Sequence, residues 1–286
     1  MRLPQRSFHR GGRFRPSEQK SQVGSPFRQR NEPLPLSRRD DHILDSRDGA
    51  RAVQALEGTD IDIPDGKFVT IVGPSACGKS TLLNLFCGLD KPDAGSIEAP
   101  ALGSGELLGR VGYMPQQDTL MPWRTVTDNA AVGLECLGCG REEARKRARE
   151  HMARFGLDGF ELSYPGQLSG GMRQRVAMLR TFLCERRINL LDEPFGKLDA
   201  ITRASMQSWL LDYWQENRCT IVFVTHDIDE ALFLSDVVHL MSPRPGRIVL
   251  SLDVGVPRPR NYGEVVTSVH FNELKARLLE SLGRPQ

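Results

Sequence analysis

Short apolar runs recur along this chain, and most of them end in a turn or an acid. Phe68-Val69-Thr70-Ile71-Val72, Arg110-Val111-Gly112-Tyr113-Met114, Ile188-Asn189-Leu190-Leu191 and Cys219-Thr220-Ile221-Val222-Phe223-Val224-Thr225 read as core strands. Asn189 interrupts its run and needs a hydrogen-bond partner if it is buried. Two more strands are expected between 236 and 252, on either side of Pro243-Arg244-Pro245-Gly246. Upstream, Ala52-Val53-Gln54-Ala55-Leu56 reads as a strand. Ile61-Asp62-Ile63 alternates as a half-exposed antiparallel strand does, ahead of the turn Pro64-Asp65-Gly66, and Ser96-Ile97-Glu98 forms another short strand. Helical spacing follows in Thr81 to Phe86. From Glu142 to Phe155 a strongly charged amphipathic helix carries Ala144, Ala148, Met152 and Phe155 on one face and a solvated charge run on the other. Ser169 is a good N-cap for the helix formers after it, and Phe271 to Leu282 is a short amphipathic helix. Strands alternating with helices predict an α/β fold around a parallel sheet, with a helical subdomain inserted at about 126–170.

At 286 residues the chain is long enough for one large α/β domain or two small ones. Its net charge of +2 is unevenly spread. Residues 1–40 hold ten basic side chains against three acids, so the remainder is slightly acidic, which argues against nucleic acid as a partner. Residues 1–38, rich in Arg, Pro, Ser and Gln, lack the aliphatics to order themselves and are expected to stay disordered. The absence of an apolar core segment near the start excludes a secretory signal. A solvated tail, or an extended start site, is the simpler reading beside an organellar transit peptide or a membrane-surface arm. No run of 18 apolar residues is present. The six cysteines are scattered and read as free thiols. Cys136-Leu137-Gly138-Cys139 has no second pair or histidine to complete a zinc site.

The chemistry begins at Gly73-Pro74-Ser75-Ala76-Cys77-Gly78-Lys79-Ser80-Thr81, which follows a strand and opens a helix. That is the context a phosphate loop requires. Polyphosphate needs many donors at close range, and a glycine-rich backbone wraps so that consecutive N–H groups converge at a helix N-terminus. Lys79 supplies a cation for the β/γ-phosphates and the Ser80 hydroxyl a ligand for Mg²⁺. The bare pattern arises by chance in roughly one chain in a hundred, so the plain glycine turn is the weaker reading. Ser169, Gly170 and Gly171 offer a second anion site at a helix start. Asp192 and Glu193 close an apolar strand, where ligands of α/β sheets bind. There Asp192 can hold Mg²⁺ and Glu193 can orient and deprotonate an attacking water. His226 ends another strand and is placed to contact a γ-phosphate.

In order, the phosphate loop, Gln116, Leu168-Ser169-Gly170-Gly171, Asp192-Glu193-Pro194, Leu198-Asp199-Ala200 and His226 resemble the ATP-binding subunit of ABC transporters over about residues 50–250. The resemblance implies a RecA-like P-loop NTPase core with an antiparallel β-subdomain and an inserted α-helical subdomain. It divides the chain into a tail at 1–40, an ATPase domain at 41–255 and a C-terminal extension at 256–286. It implies a head-to-tail homodimer sandwiching ATP and Mg²⁺. Lys79, Ser80, Asp192, Glu193, Gln116 and His226 of one copy would face Ser169 and Gly171 of the other, with Gln116 sensing γ-phosphate and Mg²⁺ and Asp199 linking the sites. Integral-membrane permease subunits and a solute-binding protein are the implied partners, and the cytoplasmic face of the inner membrane the implied location. A soluble, non-transport ABC ATPase acting as a mechanochemical switch is the alternative, though the fused cassettes or coiled-coil insertion of that class are absent.

Segments around Tyr113-Met114-Pro115-Gln116-Gln117-Asp118, Leu120 to Val126, Asp192-Glu193-Pro194-Phe195-Gly196 and Ser242 to Ile248 are similar to the importer branch for nitrate, sulfonates, taurine and pyrimidine precursors. There Trp123 would line the groove for a permease helix. Three positions depart from the family pattern. Residues 40–55 contain no aromatic to stack on adenine, which leaves aliphatics such as Val53. Ala76 replaces a commoner glycine and suits a negative φ. Lys197 occupies a usually small position at the expected dimer seam, where it would add repulsion or reach an acid across it.

Overall fold

The computed structural model describes residues 27–30 and 54–283. In chain order the strands and helices are β1 (Phe27–Arg30), β2 (Asp62–Ile63), β3 (Phe68–Val72), α1 (Lys79–Cys87), β4 (Ser96–Glu98) and β5 (Gly112–Met114). A helical stretch follows: α2 (Val126–Cys136), α3 (Arg141–Met152) and α4 (Gly170–Phe182). The chain continues through β6 (Ile188–Asp192), α5 (Ala200–Asn217), β7 (Thr220–Thr225), α6 (Ile228–Leu234), β8 (Val237–Met241) and β9 (Ile248–Asp253). It closes with α7 (Tyr262–Thr267) and α8 (Val269–Gly283).

The main sheet has the order β5-β6-β7-β3-β8-β9, parallel except for the antiparallel edge strand β9. Its central strands are buried along their whole length because both faces are covered. Side chains alternate strictly between the faces. Phe68, Val72, Leu191, Ile221 and Phe223 join a core with α2 to α6 and α8. Val69, Ile71, Ile188, Leu190, Val222 and Val224 join a second core with α1 and the antiparallel strands. Asn189, fully buried, donates from Nδ2 to the Arg186 carbonyl at 2.9 Å. Its amide oxygen fills the space that a β-carbon at Gly112 would need.

The expected α/β architecture, with an antiparallel sheet beside the parallel one and helices between β5 and β6, is the one observed. The α3 face drawn from periodicity is fully buried at Ala144, Ala148, Met152 and Phe155, although the last residues tighten into a 3₁₀ turn at Ala153–Phe155. Two local expectations differ. Phe27–Arg30 lies within the stretch expected to be disordered, yet it forms a strand between β2 and β4. Ladder hydrogen bonds from two edges order a segment whose composition alone would not. The strand expected at 52–56 is reduced to a single bridge between Leu56 and Gly246, and residues 52 and 53 lie outside the described residues. The remainder of the tail at 1–38, apart from that strand, also lies outside them. All six cysteines are free thiols.

The C-terminal segment grips α6 at both ends. Arg260 donates to the carbonyls of Leu232, Phe233 and Ser235, supplying partners that a helix end otherwise lacks. Lys275 of α8 pairs with Asp229 in the first turn at 2.7 Å, and Phe271, Leu274 and Leu278 are buried beneath it. Arg258 stacks 4.4 Å from the Trp214 ring and binds Asp236 at 3.1 Å.

His239 of β8 bonds through Nδ1 to Ser251 Oγ at 2.8 Å and is almost wholly buried. Burial lowers its pKa to about 4, against the opposing pull of the Asp62 backbone and of the Asp62 and Asp253 charges. The unfolded chain takes up this proton near pH 6.5, the folded one only near pH 4. Acidification through that window therefore favours unfolding, by up to about 3 kcal/mol at its lower end. Urea unfolding at pH 7 and pH 5 checks this. His239→Gln should shrink the wild-type loss of stability by about 1–2 kcal/mol, and an equal loss in both proteins would remove His239 from the account.

Candidate nucleotide-binding and hydrolysis site

Parallel register brings the site together. Val72 of β3 is level with Thr225 of β7, Asp192 of β6 with Val224, and Met114 of β5 with Leu191. The segments that follow these residues carry the phosphate loop, His226, Glu193 and Gln116, so all emerge along one rim of the sheet.

The loop between β3 and α1 turns through Ala76 at φ 60 and Gly78 at φ 102. Left-handed residues two apart are what folds a backbone into an anion-binding nest. The negative φ expected of Ala76 is thus not what the loop needs, and its methyl costs about 1 kcal/mol relative to glycine. Gly78 has no alternative, since a β-carbon there would lie 2.8 Å from Leu56 Cδ2 and 2.9 Å from the Ala55 carbonyl. Cys77 is buried behind the loop, while Ser75 and Ser80 are exposed and Thr81 is partly so. Lys79 is buried and donates from Nζ to the carbonyls of Gly73 at 2.9 Å and Pro74 at 2.7 Å, which curls the loop around its ammonium. Gly246 closes the outer wall: a β-carbon there would overlap the Cys77 carbonyl.

Asp192 is buried at the end of β6, and desolvation raises its pKa. Hydrogen bonding from the Ser80 hydroxyl and the Lys79 charge oppose that rise, and the Glu193 charge adds to it. A desolvated carboxylate beside a hydroxyl is a hard-oxygen donor pair that suits Mg²⁺, a cation that keeps few protein ligands and shares the rest with phosphates and water.

Glu193 lies at φ 46, left-handed for a residue with a β-carbon, at a cost of about 1–3 kcal/mol. Its N–H continues the ladder to the Val224 carbonyl at 2.9 Å. Its carboxylate accepts from Gln116 Nε2 at 3.2 Å and faces His226 Nδ1 at 3.2 Å. Three residues drawn from separate strand ends therefore meet on one carboxylate.

Ser169 caps α4, its hydroxyl accepting from the Met172 N–H at 3.2 Å. Gly170 and Gly171 start the helix against Lys197 and Leu198. A β-carbon on Gly171 would lie 3.1 Å from Leu198 Cδ2. Among the described residues no hydrogen bond joins this turn to the phosphate loop. Lys197 does not stand free at the surface: its ammonium is 3.8 Å from Asp118 of the same chain, a carboxylate that Arg173 also binds at 3.2 Å. Trp123, far from being a core residue, is 74% exposed. Val53, the aliphatic suggested for adenine, lies outside the described residues. Asp199 caps α5, accepting from the N–H groups of Ile201 and Thr202.

One residue of the segment Leu168 to Arg175 was given no role from the sequence. Gln174 is buried on α4 and donates to the Glu193 carbonyl at 2.8 Å while accepting from the Lys197 N–H at 2.9 Å. The available signal was a glutamine on the buried face of a helix, one turn past the capping serine.

Residues 56–196 match the ABC transporter family model. An uncharacterised ABC transporter ATP-binding protein of Methanocaldococcus jannaschii is 43% identical over 80% of this chain and 85% of its own length. The chain belongs to the ABC transporter family. It is an ATP-binding subunit of that family and an ATPase. The aliphatic sulfonates import ATP-binding protein SsuB of Bacillus cereus is 41% identical over 82% of this chain and 90% of its own. A bacterial ABC transporter cassette solved as a dimer aligns with TM-score 0.65 and 29% identity over 82% of this chain and 99% of that one. A dimeric post-hydrolysis state of an ATP-binding cassette, bound to ADP and Pi, aligns equally well.

Gly78→Ala tests the loop as a preset ABC phosphate cradle. It should lower stability by about 1–3 kcal/mol and weaken ATP binding at least tenfold, as read by denaturant unfolding and fluorescent-nucleotide titration. Wild-type values for both would mean that the left-handed turn is dispensable.

Proposed function

We propose that this chain hydrolyses ATP to power a membrane importer for a small solute, as half of a head-to-tail dimer. The observation that carries the reading is the Glu193 carboxylate held between Gln116 and His226 at the rim where the phosphate loop emerges. Glu193 takes a proton from the attacking water, while Gln116 and His226 fix the carboxylate's two oxygens and report on the γ-phosphate. Lys79 and the loop N–H groups balance the developing negative charge. Mg²⁺, held by Ser80 and Asp192 with Gln116 nearby, would supply electrostatic stabilisation of the transferred phosphoryl group. Ser169, Gly170 and Gly171 of the second copy would complete the pocket, a reading supported by the dimeric form of the similar cassettes.

The membrane side of the reading rests on the surface of the helical stretch. Trp123, Leu162 and Tyr164 are exposed, and backbone bonds from Val126 to Ser163 and from Thr127 to Glu161 fasten their two segments together. An exposed apolar group of this kind marks a docking surface, here for a permease subunit at the cytoplasmic face of the inner membrane. No helix among the described residues is long and apolar enough to cross a membrane. Of the solutes implied by the resemblance, a sulfonate or taurine, nitrate and a pyrimidine precursor, the relative named for aliphatic sulfonates import favours a sulfonate; a solute-binding protein would deliver it.

Glu193→Gln should retain ATP binding and lose about 100-fold or more in turnover. Comparable turnover in both proteins would sink the base assignment. Trp123→Ala should leave the ATPase activity of the isolated subunit intact and reduce both co-purification of an integral-membrane partner and solute uptake. Unchanged uptake would instead favour a soluble mechanochemical role.

A further inference from the structure

Gln174 sits where two functions meet. Its amide spans the turn from Glu193 to Lys197, holding the Glu193 carbonyl at one end and the Lys197 N–H at the other. Three hydrogen bonds hold the Glu193 backbone in its left-handed conformation: the ladder bond to Val224, the Gly196 N–H donating to its carbonyl at 3.2 Å, and this bond from Gln174, the one that comes from a side chain of another element. A strained backbone persists only where its surroundings over-determine it. Losing the bond from Gln174, the shorter of the two on the Glu193 carbonyl, therefore loosens the hold that keeps the base against Gln116 and His226.

The same side chain belongs to α4, whose first residues are Gly170 and Gly171. Five residues of helix, about 7 Å of rigid rod, separate the Ser169 cap from Gln174. The start of that rod has no slack against the turn, because a β-carbon at Gly171 would lie 3.2 Å from the Lys197 carbonyl. Arg173 and Lys197 further share Asp118, two residues beyond Gln116. A displacement of the first turn of α4 must therefore be felt at the backbone of Glu193.

We infer that Gln174 is a positioning residue that transmits occupancy of one composite site to the base of the other. This rests on the head-to-tail reading above, in which Ser169 to Gly171 engage the nucleotide held by the partner copy. Nucleotide in the partner's loop seats the start of α4, α4 seats Gln174, and Gln174 fixes Glu193 in this copy's own site. The two sites then hydrolyse cooperatively, with kcat and not nucleotide affinity carrying the effect.

The test uses the full chain with Gln174→Met, which loses both bonds, and Gln174→Glu, which keeps an acceptor for Lys197 N–H and loses the donor to the Glu193 carbonyl. Steady-state hydrolysis is measured against ATP concentration, with fluorescent-ATP binding and a thermal midpoint for each protein. Both variants should bind ATP within about twofold of wild type, lose about tenfold or more in kcat, and show a Hill coefficient falling from above 1 toward 1. Should the methionine variant fail to fold, the glutamate variant carries the same expectation. Variants with wild-type kcat and Hill coefficient, or a kcat loss matched by lost ATP binding, overturn the inference. If Glu193→Gln is inactive while the Gln174 variants match wild type, only the link falls. A wild type without ATP hydrolysis would overturn the proposed function, and the link with it.

Discussion

The alignment of strand ends is the constraint on which the rest depends. Five parallel strands, buried on both faces, are locked in register because a slip of one residue would send every side chain to the wrong core. Val72 and Thr225 therefore stop at one level, with Asp192 ending one residue short of it and Met114 one short of Asp192. The residues after them meet without any long excursion. Hydrophobic burial thus sets where Glu193, Gln116 and His226 meet, although none of the three belongs to the apolar core.

Around that rim the chain tolerates strain and then surrounds it. Glu193 and Ala76 both occupy left-handed backbone, and each is followed within a few residues by a tightly bonded turn or helix. Lys197 extends the theme. A cation at a surface expected to face a second copy is drawn back by Asp118 of its own chain. Its charge is thereby partly balanced before any partner approaches, which removes much of the repulsion expected at a seam between like copies.

Much of the architecture was legible because apolar runs and helical periods are strong signals, and the buried faces of β3, β6, β7 and α3 follow them closely. The phosphate loop, Asp192-Glu193 and the Ser169 cap were legible because each is a contiguous motif with local physics. What could not be read depends on contacts distant in sequence. The φ of Ala76 is set by the loop's closure, the strand at Phe27–Arg30 by the edges of β2 and β4, and the fate of Lys197 by an aspartate far upstream. Gln174 shows the limit most clearly. It lies in the distinctive segment that follows the Ser169 cap, yet its two partners lie about twenty residues away, and the motif does not say what it bonds.

The contact between Gly246 and the Cys77 carbonyl has a consequence for where this domain ends. Residues 56–196 carry nearly every motif, yet the wall of their phosphate loop is built by a turn between β8 and β9, and the neighbours of β3 in the sheet are β7 and β8. A fragment cut after the last acidic motif would keep the recognisable letters and lose the mould that shapes them. The smallest piece of this chain able to cradle a nucleotide therefore extends at least through β9, and the motif-bearing segment is a part of that unit that cannot stand alone.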